Sequence, residues 1–287
     1  MQKLKLQLFV LVVLVGVIIS LAPKTVDTRQ NANLLTVAVL DVGQGDAIYV
    51  EAPNGNQALF DAGNDAAILK VLKEVMHPSD TTINLVFATN PDRDHIGGLA
   101  SVYDAYTIGA TYEPGTISTT KTYDTFQDAI KNEGTPNYLA RKGTHIVLDE
   151  AHGVFIDIIF PDRDVRSFSR NDGSIVVRLT YGATSFLLTG DSTMVTEHMM
   201  AQSSPEMLDV DVLKVGHHGS RTSTGDELLK LATPNYAAIS YGQENSYGHP
   251  HPEVMSRLRK YNIEVYETAK EGMVVFESDG KGVWVKK

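Results

Sequence analysis

The 287-residue sequence has no cysteine, one tryptophan and fewer basic than acidic side chains. Without cysteine there is no disulfide framework, thiolate zinc site, iron–sulfur cluster or cysteine nucleophile. Lys and Arg number 25 against 35 Asp and Glu, which gives a net charge of −10 and argues against a broad surface that neutralises duplex DNA. If the chain binds a metal ion, histidine and carboxylate side chains must hold it.

The first 23 residues are predicted to be a signal or membrane segment. Lys3 and Lys5 precede an almost entirely apolar run from residue 6 to 22, a pattern typical of export signals and of anchors. The run is at the length boundary between the two, and Pro23 after the possible cleavage site favours an uncleaved anchor. The positive-inside rule places the rest of the chain outside the cytoplasm, membrane-anchored or secreted. The expected organisation is a signal or anchor at 1–23, a linker at 24–33 and one domain at 34–287.

From residue 34 onward, short β-branched runs alternate with helical spacing, which predicts a mixed α/β domain. Three opening strands are expected at Val37–Leu40, Ala47–Glu51 and Gln57–Phe60. The last two are joined by Asn54-Gly55, a strong signal for an antiparallel hairpin. Further strands are expected at 84–88, 155–160, 175–180, 185–188, 210–215 and 236–240, helices at 65–76, 193–201, 226–231 and 253–261, and a closing hairpin through Asp279-Gly280.

Potential metal ligands are concentrated where predicted strands end. Asp92, Asp94 and His95 follow the strand at 84–88 in one short loop, and Asp191 follows the strand at 185–188. The first loop alone is also consistent with a capped helix start. Five of the nine histidines nevertheless lie at such junctions, namely His95, His217, His218, His249 and His251. Imidazole and carboxylate are donors that zinc and manganese accept, so the pattern predicts a metal site.

Seven segments occur in an order typical of one family. They are Asp41–Ala47, Phe60–Gly63, Asp92–Gly98, Asn171–Val177, Leu187–Ser192, Val215–Ser220 and Tyr247–Glu253. Together they resemble the metallo-β-lactamase fold and, within it, the extracytoplasmic domain of the ComEC/Rec2 DNA-uptake proteins. The resemblance implies an αββα sandwich of two mixed sheets with outer helices and a metal site at one edge. We expect a stand-alone relative of that domain rather than the uptake channel.

The resemblance also implies a role for each matching side chain. Asp94, His95 and His249 correspond to ligands of one metal ion. Asp191 corresponds to a carboxylate that bridges two ions. His218 is expected to support these ligands or to contact substrate, and together with Asp94 and Asp191 it forms the expected catalytic group.

A second metal ion is expected to be held less well. Its implied ligands are Asp92, His217 and the bridging Asp191. Asn90 stands where the family normally has a histidine, and an amide oxygen is a poorer zinc ligand than imidazole. The resemblance therefore leaves open one or two ions, zinc or manganese, with Asn90 as a possible ligand of the second.

Two glycines near the start of the domain are predicted to serve a turn rather than a phosphate. Gly43 and Gly45 lack the following helix and the lysine of a phosphate-binding loop. We therefore expect a backbone turn, with Asp46 and Asp61 tying loops near the metal by hydrogen bonds.

Basic and hydroxyl side chains near the predicted site are candidates for substrate binding. Arg163, Arg166 and Arg170 lie in one loop, and guanidinium groups bind phosphate in bidentate fashion. The alternative is a solvated loop in which neighbouring aspartates balance these charges. Ser220 follows the paired histidines and is a further candidate.

The expected activity is hydrolysis by a metal-bound hydroxide. Relatives in this branch act on phosphodiesters, so the resemblance implies a nuclease or an envelope phosphodiesterase, with single-stranded DNA as the favoured polymer. Two alternatives are a non-catalytic, metal-containing module that binds an anionic polymer, and a lactam or lactone hydrolase.

Overall fold

The computed structural model describes residues 33–286. The predicted signal or anchor therefore lies outside the described residues, as does nearly all of the predicted linker. Between residues 33 and 286, no helix combines the length and hydropathy needed to cross a membrane.

Fifteen strands and eight α-helices lie within the described range. The strands are β1 (Leu35–Val39), β2 (Ile48–Glu51), β3 (Gln57–Phe60), β4 (Thr82–Phe87), β5 (Thr107–Glu113), β6 (Asn137–Leu139), β7 (His145–Asp149), β8 (Val154–Phe160), β9 (Val176–Tyr181), β10 (Thr184–Leu188), β11 (Val212–Lys214), β12 (Tyr236–Ile239), β13 (Glu264–Glu267), β14 (Val274–Ser278) and β15 (Val283–Val285). The helices are α1 (Ile68–Val75), α2 (Arg93–Ile96), α3 (Leu99–Ala105), α4 (Lys121–Glu133), α5 (Met194–Ser203), α6 (Asp226–Ala232), α7 (Pro252–Lys260) and α8 (Thr268–Glu271).

The strands form two mixed sheets. The first has the order β15-β14-β1-β2-β3-β4-β5-β6, and the second has the order β13-β12-β11-β10-β9-β8-β7. As predicted, β1, β2 and β3 pair antiparallel, and β14 and β15 form the closing hairpin. From β3 to β6 and from β10 to β13 the pairing is parallel. Parallel pairing places the loops that follow successive strands at the same sheet edge, and this positions the site.

The two sheets bury a common core. Phe60 of β3 stacks on Phe87 of β4 with ring centroids 4.4 Å apart. Phe186 of β10 meets Phe276 of β14 across the layers in an edge-to-face contact at 6.3 Å. Burial of side chains of this size contributes roughly 1.5–3 kcal/mol each. The free energy gained from this burial offsets the cost of burying charged side chains at the edge of the sandwich.

Helices cover the outer face of each sheet. Along β1, Val37 and Val39 face the common core whereas Ala38 faces a second apolar cluster, which follows from the two-residue period of a strand. That second cluster contains Ile68 and Leu72 of α1. A third cluster lies between the other sheet and helices α5, α6 and α7. The predicted αββα sandwich is therefore confirmed.

Several elements differ from the sequence prediction. Helix α1 begins at Ile68 instead of Asp65, because the Asp65 side chain accepts a hydrogen bond from the Ala67 backbone N–H in a turn before the helix. Strands β5, β6, β7 and β13 and helices α3, α4 and α8 were not predicted. β6 has three exposed residues and β5 contains Gly109, so neither has a regular alternation of apolar and polar side chains.

Candidate metal centre

The polar loops predicted from the sequence meet at one edge of the sandwich. Asp61 follows β3, His95 lies in the loop and short helix after β4, and Asp191 follows β10. His218 lies in the turn after β11. The backbone is left-handed at Asp61 (φ 60°) and at His218 (φ 54°), a conformation that is costly for residues other than glycine and is often found at functional sites.

His95 is completely buried, and its ring is oriented by the hydrogen bond at Nδ1. Its Nδ1 lies 2.7 Å from Oδ2 of Asp61, and Asp61 also accepts a hydrogen bond of 2.7 Å from the Thr89 backbone N–H. This orientation directs Nε2 at Asp191, whose Oδ2 is 3.1 Å away. A carboxylate behind one ring nitrogen is the usual way to orient a metal-binding imidazole. Asp61 thus ties the loop after β3 to the loop after β4 by hydrogen bonds, as the sequence predicted.

His218 presents its Nε2 to the same point from the second sheet. Its Nδ1 lies 2.9 Å from the Ser240 carbonyl oxygen, which can only accept, so Nδ1 carries a proton and Nε2 is the nitrogen that can bind an ion once it loses its own proton. That Nε2 is 3.4 Å from Oδ2 of Asp94 and 3.5 Å from Oδ1 of Asp191. The geometry therefore makes His218 a candidate metal ligand, whereas the sequence predicted a supporting or substrate-contacting side chain.

A buried ion pair lies next to these side chains. Asp46 contacts Lys214 at 3.0 Å and also accepts a hydrogen bond from Ser240. Burial alone would raise the pKa of Asp46, but Lys214 and His218 outweigh it and hold the pKa well below its usual value. Gly45 allows the loop to close, because a Cβ there would collide with the Asp94 carbonyl oxygen. The predicted tying role of Asp46 is thus confirmed.

Unpartnered polar atoms converge at this centre. Nine buried side-chain nitrogen and oxygen atoms in the described part of the chain have no hydrogen-bond partner. Four of them belong to the site: Nε2 of His95, Oδ1 of Asp191, Nε2 of His218 and Nδ1 of His249. Buried polar groups are nearly always hydrogen-bonded, so a cluster of exceptions requires an explanation.

A divalent ion fits these donors. Tetrahedral zinc with bonds of about 2.0–2.1 Å separates adjacent ligand atoms by roughly 3.3 Å, and the separations of 3.1, 3.4 and 3.5 Å match that value. Asp94, His95 and His218 form one group whose ligand atoms all lie within 4.8 Å of one another. Asp46, His95 and Asp191 form another.

Without an ion, protonated imidazoles balance the negative charge of the buried carboxylates. Burial lowers the pKa of His218, but Asp191 and Asp46 outweigh it and raise the value to about 10. Asp191 and Asp61 likewise outweigh burial and raise the pKa of His95 well above its usual value. A metal ion must therefore displace protons from these imidazoles.

The predicted ligands of a second ion are arranged differently. Asn90 is completely buried, and its Oδ1 accepts a hydrogen bond of 2.8 Å from the Asp92 backbone N–H. Its Nδ2 donates to Oδ1 of Asn171 at 2.9 Å. Nη1 of Arg170 lies 2.5 Å from Oδ1 of Asp92. Sequence reasoning gave Asn171 no role, although it opens one of the matching segments.

The remaining predicted histidines lie closer to the mouth. Nε2 of His217 is 3.7 Å from Oδ2 of Asp191 and 3.3 Å from Nδ2 of Asn171. The ring of His249 lies 5.6 Å from that of His217 and is outside both close groups of donors found among the described residues. Burial, followed by the charges of His218 and His217, lowers the pKa of His249 to about 4. His249 is therefore neutral at neutral pH.

The other candidate substrate-binding residues are engaged elsewhere. Arg163 pairs with Asp162 at 2.7 Å and Arg166 pairs with Asp164 at 2.5 Å, all within one exposed loop. For these two arginines the structure matches the solvated-loop alternative. Ser220 is buried with its Oγ 3.0 Å from Oγ1 of Thr222.

A cavity of about 300 Å³ opens over the centre. It is lined by Gln44, Asp92, Arg93, Asp94, Asn171, Asp191, His217, His218, Tyr247 and His249. A neighbouring cleft of about 430 Å³ shares Gln44, Arg93, Asp94 and Tyr247 with it. Sequence reasoning missed Gln44, Arg93 and Tyr247, whose only signal was their place within or beside the matching segments.

Residues 40–243 match the Metallo-beta-lactamase superfamily. The chain belongs to this superfamily. Its members bind divalent metal ions and share a metallo-hydrolase fold. The matched range includes Asp94, His95, Asp191 and His218 but ends before His249.

The resemblance to the DNA-uptake branch is also confirmed. The chain is 29% identical over 258 residues to ComE operon protein 3 of Bacillus subtilis, covering 84% of this chain and 32% of that protein. It is 32% identical over 243 residues to Recombination protein 2 of Haemophilus influenzae, covering 83% of this chain and 28% of that protein. The chain thus spans about a third of the length of these relatives.

Two solved structures support the fold. The metallo-beta-lactamase fold protein YhfI of Bacillus subtilis superimposes with a TM-score of 0.54 at 15% identity, covering 88% of this chain and 100% of YhfI. Igni18, a metallo hydrolase of Ignicoccus hospitalis, gives a TM-score of 0.51 at 16% identity, covering 84% of this chain and 98% of Igni18. At these identities the likeness concerns the fold alone.

Proposed function

We propose that the protein is a metal-dependent phosphodiesterase whose ion is held by Asp94, His95, Asp191 and His218. The observation that carries the proposal is the convergence of unpartnered donors, Nε2 of His95 and of His218 and Oδ1 of Asp191, beneath an open cavity. Such an ion would lower the pKa of a water molecule and withdraw charge from a phosphoryl oxygen.

The surrounding side chains prepare the site for that chemistry. Asp61 and the Ser240 carbonyl hold the two imidazoles with Nε2 toward the ion position. The pair of Asp46 and Lys214 fixes the loop under Asp94 without exposing a free charge. Nδ1 of His249 is buried without a partner at the mouth. In the neutral ring it can accept a hydrogen bond from water or from a departing hydroxyl group.

The substrate class follows from the names of the relatives and from the walls of the cavity. Recombination protein 2 is named for recombination, and Competence protein ComA of Neisseria gonorrhoeae, which is 27% identical to this chain over 276 residues, is named for competence. These names favour a nucleic acid, and single-stranded DNA is the polymer we propose. Arg93 lies between the two clefts, where a guanidinium can bind phosphate. Tyr247 is exposed with its ring stacked on His249. An exposed aromatic ring beside a catalytic cleft suits stacking of an unpaired base.

Turnover assays test the activity. The purified full-length chain, loaded with Mn²⁺ or Zn²⁺, is offered a chromogenic phosphodiester, single-stranded and duplex DNA oligonucleotides, an envelope polymer rich in phosphodiesters, and a chromogenic lactam. We expect phosphodiester cleavage that a chelator abolishes, with single-stranded DNA preferred over the duplex. Cleavage of the lactam without any phosphodiester cleavage would overturn the proposal.

A second candidate function is a binding module without turnover. It is favoured by Asn90 in place of the family's histidine and by Arg170 paired with Asp92. The two functions separate in one comparison: a binding module retains single-stranded DNA in a mobility-shift assay and cleaves no phosphodiester with any metal, whereas the enzyme degrades it.

We further propose that the catalytic domain lies outside the cytoplasm. The support is the charge of Lys3 and Lys5 before the apolar run at residues 6–22. A reporter enzyme that works only outside the cytoplasm should be active when it is fused after Lys287. Activity of a fused reporter that works only in the cytoplasm would contradict this location.

A further inference from the structure

We propose that the protein binds a single divalent ion and that Arg170 serves as the cation at the place of a second one. The inference rests on the metal centre proposed above. It concerns three polar residues at the same sheet edge as Asp191, namely Asn90, Asp92 and Asn171, here called the amide side.

On the amide side, the donors that would bind a second ion are already used within the protein. Oδ1 of Asn90 accepts from the Asp92 backbone N–H at 2.8 Å, and Nδ2 of Asn90 donates to Oδ1 of Asn171 at 2.9 Å. Nδ2 of Asn171 in turn lies 3.3 Å from Nε2 of His217. This chain of contacts links three of the four residues that sequence reasoning assigned to a second ion. An ion at this place would have to break it.

Asp92 already has a cation. Nη1 of Arg170 lies 2.5 Å from its Oδ1. A guanidinium group keeps its charge at every accessible pH and presents several N–H donors in a fixed plane. A dication bound to the same carboxylate would lie within a few ångströms of that positive charge and would be repelled by it. Asp92 is therefore a carboxylate with its charge balanced, not an open ligand.

The distribution of unpartnered atoms points the same way. Buried polar atoms without a partner include Nε2 of His95, Nε2 of His218 and Oδ1 of Asp191. Within the described chain, no side-chain atom of the completely buried Asn90 is among them. The buried atoms that still lack a partner therefore include donors of the proposed metal centre but none of Asn90.

Arg170 differs from its two neighbours in the same loop. Arg163 and Arg166 pair with aspartates one and two residues away on the loop itself. Arg170 reaches across to a carboxylate that follows a strand of the other sheet. Its position is therefore specific, and Arg166 provides a matched control.

Counting bound Mn²⁺ tests the proposal without reference to turnover. The full-length protein, Arg170→Met and Arg166→Met are each titrated with Mn²⁺ by calorimetry, with electron paramagnetic resonance to detect coupled ion pairs. Methionine retains the apolar stem of the side chain and removes the charge. We expect one ion in the parent and in Arg166→Met. In Arg170→Met we expect a second ion, bound at least about tenfold more weakly because its donors are mostly oxygens.

Either of two results would overturn the proposal: two ions in the parent protein, or one ion in Arg170→Met at saturating Mn²⁺. Thermal unfolding of each variant verifies that it is folded, which we expect because Arg170 is half-exposed. A parent that binds one ion and cleaves no phosphodiester would contradict the proposed function and leave this inference intact.

Discussion

Two groups of polar side chains lie at the same sheet edge as Asp191, and they differ in how many of their buried polar atoms have a hydrogen-bond partner. On one side, His95 and His218 direct unpartnered Nε2 atoms at the aspartate. On the amide side, Asn90 and Asn171 bond to each other and Arg170 neutralises Asp92. Both sides occupy the same edge of one fold. The comparison teaches that a metal site is recognised by donors that still need a partner, more than by the presence of ligand-type residues.

The largest effect should come from removing the Asp191 carboxylate. In Asp191→Ala, His95 and His218 lose the anion that both contact, so metal affinity and phosphodiester turnover should each fall at least about 100-fold. Chelator competition and the chromogenic assay measure the two quantities. Asp124→Ala, an exposed carboxylate on α4, serves as the control and should behave like the parent. A variant of Asp191 that binds metal like the parent would refute the ligand assignment.

Asp61→Asn tests whether Asp61 sets the orientation and tautomer of the His95 ring. Asparagine can still accept from the Thr89 backbone N–H, but its amide group would face Nδ1 of His95 and favour a proton on Nε2, which points at the ion. Metal affinity should fall about 10–100-fold. Asp65→Asn, an exposed neighbour in the following loop, is the matched control. Equal affinity in both variants would show that Asp61 does not set the tautomer.

Metal binding should weaken as the pH falls. In the metal-free protein the pKa of His218 is raised to about 10, because Asp191 and Asp46 outweigh burial. Its contribution to stability is therefore complete below about pH 6.5 and is lost as the pH rises through about 10. An ion must displace that proton, so affinity should rise about tenfold per pH unit for each proton released. Chelator competition at pH 6, 7 and 8 measures the slope, and a flat profile would contradict the account.

Asn90→His, a substitution on the amide side, is expected to leave the number of bound metal ions unchanged. Asn90→His supplies the imidazole that the family normally has, yet Arg170 still occupies Asp92, so the protein should continue to bind one ion. The larger ring replaces a completely buried amide and removes its hydrogen bonds, which should cost about 1–3 kcal/mol of unfolding free energy. Denaturant unfolding and metal analysis check both values. Two ions in this variant would show that Asn90 alone limits the second site.

Much of the fold could be predicted from local sequence. The short β-branched run at Val37–Leu40 and the Asn54-Gly55 turn predicted the opening antiparallel strands, and the structure has them at β1 to β3. The loops of the site were predictable because aspartates and histidines follow apolar runs, as at Asp191. Strand β6 is three exposed residues long, and its pairing partner is distant in sequence, so nothing local indicated it.

The roles of the adjacent histidines could not be predicted from spacing. His217 and His218 both follow β11 and both have left-handed backbones, with φ of 48° and 54°. What distinguishes them is the Ser240 carbonyl, 22 residues further along the chain, which fixes the ring of His218. The partner of Asn90 is likewise 81 residues away. A side-chain orientation that depends on contacts so distant in sequence cannot be predicted from a local motif.

The ligand set is the central claim, and one measurement tests it most directly. Sequence resemblance assigned His249 to the metal ion, whereas the geometry places Nε2 of His218 beside Asp94 and Asp191. Metal content per chain is compared for the full-length protein, His218→Ala and His249→Ala after dialysis against a weak chelator. We predict one ion in the parent, near-complete loss in His218→Ala and one ion retained in His249→Ala. Loss in His249→Ala with retention in His218→Ala would contradict the account.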